Sequence, residues 1–354
     1  MLQSLTNVEA QLLVIIWGVT FSFFACAILC CVFVILKRAL GNRRFKKRAF
    51  QKDYFVNYLT NLLDKEPDDL VVLRQLPNCN YDDIISIFLH FFQTLKGQKL
   101  DTLKNLIANK FFENKIIMRT FTGSRGHRMQ AVKTLAYLES KPSLMAILEC
   151  LDSQDKYIRL TSARSLVRRQ ALSLLPQIIA KCLKQLPHDY KLVGDILSGY
   201  GEAAVKPLEK IIQTTEDDMT IAACLEALII IMPPKTNLDF SKLMKSKTAA
   251  VRSAVVRLSA IVSHYSDIDP LKLGLADSEI SVKIQAAKTA CYLKRSDLTS
   301  ELYALTFSPV IWLRYWSMKA IWSSSRQGEK FVRTISNSQE IASQVKLEMK
   351  TKYV

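Results

Sequence analysis

Few side chains in this sequence have a type and spacing that could move protons, bind a metal or attack an electrophile. The four histidines, His90, His127, His188 and His264, are at least 37 residues apart. Two imidazole ligands on one helix face need a spacing such as HExxH, so the sequence predicts no metal site. The eight cysteines include no CxxC pair: Cys26, Cys30 and Cys31 fall in one apolar run, while Cys79, Cys150, Cys182, Cys224 and Cys291 are single. Four of these five occupy apolar helical positions and read as small core residues with free thiols in a reducing cytosol. A GxxxxGK phosphate loop, a strand-linked GxGxxG and a GxSxG nucleophile elbow are absent. Gly123, Ser124, Arg125 and Gly126 form the one short loop that could hold a phosphate at a helix start. The turn chemistry of Gly and Ser favours a plain link into the next helix instead. The expectation is a protein that is not an enzyme and uses no cofactor.

The chemistry on offer is electrostatic and apolar. Lys37, Arg38, Arg43, Arg44, Lys46, Lys47, Arg48 and Lys52 place eight positive charges ahead of Asp53, the first acid that follows them. Just before them, Leu12 to Leu36 contains no charged residue and exceeds the roughly 20 residues with which a helix crosses hydrocarbon. The reading is one transmembrane helix over 12–36, a short non-cytosolic N-terminus over 1–11 and a basic juxtamembrane stalk over 37–52. Residues 1–11 lack the basic start of a cleaved signal, and the positive-inside rule puts the C-terminal bulk in the cytosol. The basic cluster sets this topology and draws the stalk toward a lipid bilayer with anionic headgroups, by about 1 kcal/mol per residue. Gly18, Ser22 and Ala25 form a small-residue stripe through which the helix could self-associate.

The remaining sequence reads as helix. Only 10 Gly and 10 Pro occur in 354 residues, with 49% hydrophobic and 23% charged, which excludes collagen-like and disordered classes. After Asp53 apolar residues recur at three- and four-residue spacing between Pro, Asp, Ser and Gly breaks, and no segment alternates with period two. Seven segments align on a basic or polar residue: Arg128, Arg159, Lys191, Thr220, Arg252, Lys283 and Arg314, spaced 31, 32, 29, 32, 31 and 31 residues. Each follows another apolar helix and a turn with a capping oxygen, for example Asp152, Ser153, Asp277 or Ser308. A helix-turn-helix unit at fixed period is the mark of a solenoid.

The stretches LECLDSQDKYIRLTSARSL and LGLADSEISVKIQAAKTACYL resemble HEAT repeats, in which a turn Asp is followed by Val-Arg or an equivalent and then a small residue. The resemblance covers Phe121 to about Trp322, most clearly at Asp152, Arg159, Ala163, Val251, Arg252, Asp277, Val282, Lys283 and Ala287. Thr220 in place of a basic residue, and Gly194, Gly199 and Gly201 in the Lys191 unit, depart from it. The short unit is closer to bacterial HEAT-like repeats than to the longer eukaryotic form. The implied fold is all-α: an α-solenoid of HEAT-like helical hairpins over 121–325, with a helical N-terminal cap region over 53–120 and C-terminal capping helices over 326–354. The family implies a ladder between neighbouring repeats, which here would use Arg128, Asp152, Arg159, Lys191, Arg252, Asp277, Lys283 and Arg314.

One surface feature stands apart: Ile311, Trp312, Arg314, Tyr315, Trp316 and Trp322 bring three of the four tryptophans into the last clear repeat. Aromatic and Arg side chains anchor binding hot spots, so Trp312, Arg314, Tyr315 and Trp322 are candidates for a partner site, although helical periodicity assigns Trp312 and Trp316 to the core. The leading expectation is a noncatalytic scaffold on a cell membrane, by repeat length a bacterial inner membrane, that binds a protein partner in an envelope-building or transport complex. Without the eight stalk residues, 41 basic side chains still face 32 acidic ones. A nucleic-acid-binding HEAT-like protein using Arg164, Arg168 and Arg169 is therefore the alternative, made less favourable by the anchor. A chaperone resembling the phycobilin lyases ranks third, because those are soluble.

Overall fold

The computed structural model describes residues 2–63, 80–107, 110–185, 187–262, 268–334, 344–345 and 348. Among them the regular structure is helical throughout and no β-strand occurs. Two compact units divide the chain, Met1–Asn109 and Lys110–Val354.

In the first unit, α1 (Leu2–Leu63) is one helix of 62 residues, about 93 Å at 1.5 Å per residue. No proline precedes Pro67, so nothing in the sequence removes a backbone donor along its length. One helix thus runs through the expected N-terminus, membrane helix and stalk. From Trp17 to Arg38 the helix has a mean hydropathy of 2.8 and no residue buried in protein, which makes it long and apolar enough to cross a membrane. At its other end Phe55, Leu59 and Leu63, four residues apart, are buried where α1 meets α2 (Tyr81–Thr94) and α3 (Gln98–Ile107). Phe55 meets Phe88 of α2 edge to face with ring centres 5.8 Å apart. Lys52, assigned from sequence to the membrane surface, instead reaches Asp83 of α2 at 2.9 Å. The helix expected over Asp69 to Leu76 lies outside the described residues.

The second unit is built from helical hairpins. They are α4 (Lys110–Phe121) with α5 (Arg125–Leu135), α6 (Lys141–Cys150) with α7 (Lys156–Arg168), α8 (Leu175–Gln185) with α9 (Tyr190–Ser198), and α10 (Val205–Thr214) with α11 (Asp218–Ile231). Then follow α12 (Phe240–Leu243) with α13 (Ala249–Leu258), α14 (Pro270–Leu275) with α15 (Ile280–Leu293), and α16 (Thr299–Leu305) with α17 (Ile311–Ser324). Because α4 packs on α5, this unit begins at residue 110 rather than at the expected 121. Second helices pack side by side in chain order, α5 on α7, α7 on α9, α9 on α11, α11 on α13, α13 on α15 and α15 on α17, and α18 (Arg326–Thr334) covers α17. All seven marker residues lie on these second helices. The residue before the marker (Ile158, Val251, Val282, Leu313) and the one four after it (Val132, Ala163, Val256, Ala287, Met318) are buried, as one inward stripe requires. The C-terminal positions Ile335, Ile341 and Met349 lie outside the described residues, whereas Val345 is buried.

The departure at Gly194 has a packing cause. A Cβ there would come 2.5 Å from Cβ of Glu226 and 2.8 Å from the carbonyl oxygen of Ala223, so α9 can lie against α11 only without a side chain. Overpacking of this kind costs about 1–3 kcal/mol. Gly194→Ala is expected to lower the denaturation midpoint accordingly, while Gly126→Ala on α5, where a Cβ meets nothing within 4 Å, should leave it unchanged or slightly raised; chemical denaturation followed by circular dichroism measures both.

Candidate functional site

The hairpin turns carry a repeated hydrogen-bonded device. The side-chain oxygens of Ser153, Thr215, Ser246, Asp277 and Ser308 each accept the backbone N–H two residues on, at 3.2, 3.2, 3.1, 2.8 and 3.2 Å. Successive members are 62, 31, 31 and 31 residues apart. Six residues after three of them a guanidinium returns to the same turn: Nη1 of Arg159 donates to the Ser153 carbonyl at 2.6 Å, Arg252 to Ser246 at 2.8 Å and Arg314 to Ser308 at 2.8 Å. Arg128 does the same eight residues back, donating to the carbonyl of Thr120 at 2.9 Å. The marker arginines are therefore clasps on their own hairpins.

This corrects the expected ladder. Arg252 also bonds the turn acid of the next hairpin, with Nε and Nη2 on the two Asp277 oxygens at 2.7 and 2.8 Å. Asp152 pairs instead with Lys181 of α8 at 2.5 Å. Lys191 lies over the Tyr190 ring at 6.0 Å, and Lys283 acts on Asp277 through its charge. The carbonyl bonds do not depend on a missing acid, since Arg252 makes them to Ser246 and Lys247 in addition to its bonds to Asp277. Other residues, missed from sequence, link successive hairpins, Arg125 with Asp155 at 2.5 Å and buried Glu226 with Arg257, while Arg295 and Asp269, 2.6 Å apart, tie the two ends of the α14–α15 hairpin. The period of Ser153, Ser246, Asp277 and Ser308 was the available signal for the turn device.

The partner cluster is also rearranged. Tyr315 and Trp322 are buried with Met318, at i, i+3 and i+7 on one face of α17, and half-buried Arg314 is the clasp of its own turn. Only Trp312 of the four is exposed, which also overturns its assignment to the core. Trp316 is half-buried, with the ammonium groups of Lys288 and Lys319 at 5.0 and 5.1 Å from its ring centre. Lys319 also bonds Tyr315 Oη at 2.7 Å and Glu348 at 2.8 Å.

The three arginines of the nucleic-acid alternative are each engaged separately. Arg164 pairs with Asp195 at 3.4 Å, Arg168 stacks on Tyr137 at 4.8 Å, and Arg169 donates to Ser143 Oγ at 2.8 Å and the Ser140 carbonyl at 3.1 Å. In the Gly-Ser-Arg loop, Ser124 caps α5 by accepting the His127 amide, so the loop is a helix start. Burial pushes the thiols of Cys182 and Cys224 up to about 11 and about 12, which keeps them protonated at neutral pH and poor nucleophiles. Among the described residues no group of three or more His, Cys, Asp or Glu side chains could hold a metal ion. An apolar groove of 580 Å³ lies between α8 and α10, lined by Leu172, Pro176, Ile179, Pro207 and Ile211 with Lys210 beside them. No protein-family model and no curated protein matches the chain.

Burial is the largest single effect on Asp277 and opposes its charge, but the hydrogen bonds from Arg252 and the Glu279 amide, with the charges of Arg252 and Lys283, together outweigh it and hold the carboxyl below its usual range. A depressed carboxyl stabilises the fold above its unfolded pKa, near 3.9, and that contribution fades as pH falls toward the folded value. The stability advantage of the natural chain over Asp277→Asn should therefore be full at neutral pH and shrink below about pH 4. At neutral pH, Arg252→Ala is expected to cost about 3–5 kcal/mol by stranding a buried carboxylate. Arg314→Ala, which strands only carbonyls, should cost about 1–3 kcal/mol; urea titrations compare all three.

Proposed function

We propose that this chain is a noncatalytic, membrane-anchored scaffold whose helical hairpins form a HEAT-like α-solenoid on the cytosolic side of a bacterial inner membrane. The observation that carries the reading is the register: seven markers near 31-residue spacing fall on seven second helices that pack in chain order. Units that contact mainly their neighbours leave extended surfaces for a partner.

The anchor in this reading is the Trp17–Arg38 stretch of α1, oriented by the basic residues Lys37 to Arg48, with the short N-terminus translocated. A protein partner in an envelope-building or transport assembly is the expected client. Against the nucleic-acid alternative stand the separate engagements of Arg164, Arg168 and Arg169 with Asp195, Tyr137 and the Ser140–Ser143 turn.

The test is crosslinking in cells that carry a C-terminally tagged chain, followed by membrane solubilisation and mass spectrometry with and without nuclease. The scaffold predicts a small, nuclease-resistant set of membrane or envelope proteins. Recovery of ribosomal or DNA-associated material that disappears with nuclease would replace it with the nucleic-acid function.

A further inference from the structure

The five turns that share the side-chain cap can be compared position by position. Residues 152–157 read DSQDKY, 214–219 TTEDDM, 245–250 KSKTAA, 276–281 ADSEIS and 307–312 FSPVIW. Four carry charged residues. The fifth has none, and its apolar side chains point to solvent: Phe307 is 50% exposed, Ile311 62% and Trp312 64%. Tyr303, 41% exposed, extends the patch by an edge-to-face contact with Phe307 at 5.1 Å.

Most of the backbone of this turn is bonded within the chain, the amides of Ile311 and Trp312 at the uncapped start of α17 excepted. The Ser308 amide donates to the Leu305 carbonyl and the Val310 amide to Ser308 Oγ; Pro309 has no N–H. The carbonyls of Ser308 and Pro309 accept from Arg314 Nη1 at 2.8 and 3.2 Å, and that of Val310 accepts from the amides of Leu313 and Arg314. The turn at 246–248 is closed in the same way, but there lysines 245 and 247 hold it in water. A turn with few free backbone groups and uncharged side chains can enter the polar headgroup layer at modest cost.

We propose that the α16–α17 turn, residues 307–312, inserts into the interfacial layer of the same bilayer that α1 enters. The proposal rests on the anchored reading above, because a tether keeps the bilayer at a high effective concentration around the turn. Charge placement favours lipid over a protein groove. Trp and Tyr rings belong at headgroup level, and Lys288 stands at the Trp316 ring one helical turn behind Trp312, about 6 Å away, where phosphates would meet it. The acid found there, Glu348, is already bonded to Lys319.

The experiment is tryptophan quenching in the full-length chain reconstituted into phosphatidylcholine and phosphatidylglycerol vesicles with brominated acyl chains. The natural chain minus Trp312→Phe, a change at an exposed site that leaves the fold intact, isolates Trp312; the natural chain minus Trp17→Phe isolates the anchor. Insertion predicts that bromolipid quenches the Trp312 component by about half or more, as for an interfacial indole, and that aqueous iodide does not. A Trp312 component quenched by iodide and not by bromolipid overturns the proposal while Trp17 quenching leaves the anchor standing. Shielding from both quenchers also overturns it, in favour of a protein partner or a second copy. Failure of Trp17 quenching removes the anchor itself.

Discussion

A helix that stops against its neighbours leaves the carbonyls of its last turn without partners in a place that water reaches poorly. In the second unit the carbonyls of Cys150, Leu243 and Leu305 take the amides of Ser153, Ser246 and Ser308, and the carbonyls of those turn residues are met in their place by guanidinium groups from the helix that follows. Arg159, Arg252 and Arg314 each reach back six residues to a turn whose own side-chain oxygen already holds an amide. With both kinds of backbone group satisfied, the apolar stripes on either side of each Arg can close over the turn, as Ile158 and Ala163, Val251 and Val256, and Leu313 and Met318 do. The reach of one arginine also fixes how many residues the turn can contain. That is a physical reason for the near-constant repeat length. At Thr220 the side chain is too short to reach back, and Asp217 takes over the capping, accepting from both the amide and the hydroxyl of Thr220; this is where the spacing changes to 29 and then 32.

Much of this was legible in the sequence because it is periodic. The all-helical class, the second helices and the inward stripe follow from apolar spacing, and the seven markers stand out by their near-constant interval. The roles of the markers were not legible. An Arg beside a turn Asp looks the same in sequence whether it bonds a carboxylate or a carbonyl; Arg252 bonds both, the carboxylate of Asp277 and the carbonyl of Ser246. Asp152 shows the same limit, since Lys181, its partner, lies in the next hairpin and outside any short window.

Orientation was the other hidden quantity. Four residues of α17 were grouped because they are aromatic or basic and close in sequence, but a helix turns 100° per residue, so neighbours in sequence diverge in space. Tyr315 and Trp322 went inward and Trp312 outward. The basic groups Arg164, Arg168 and Arg169 divide in the same manner among an acid, an aromatic ring and the Ser140–Ser143 turn. Local composition names the residues that can act, and the phase of the helix decides which of them meet solvent.

The continuity of α1 has a mechanical meaning. Between Arg38, the end of the apolar stretch, and Phe55, the first buried residue of the unit's core, the helix is unbroken, and its 17 residues span about 25 Å. A helix transmits rotation as well as distance, so the direction in which Phe55, Leu59 and Leu63 present themselves to α2 and α3 is set by the azimuth of the apolar stretch. Each residue added to or removed from this interval would swing that face by about 100° while changing its height by only about 1.5 Å. The segment thus acts on bearing far more than on reach, and a twist or tilt imposed at one end would arrive at the other as a turned face.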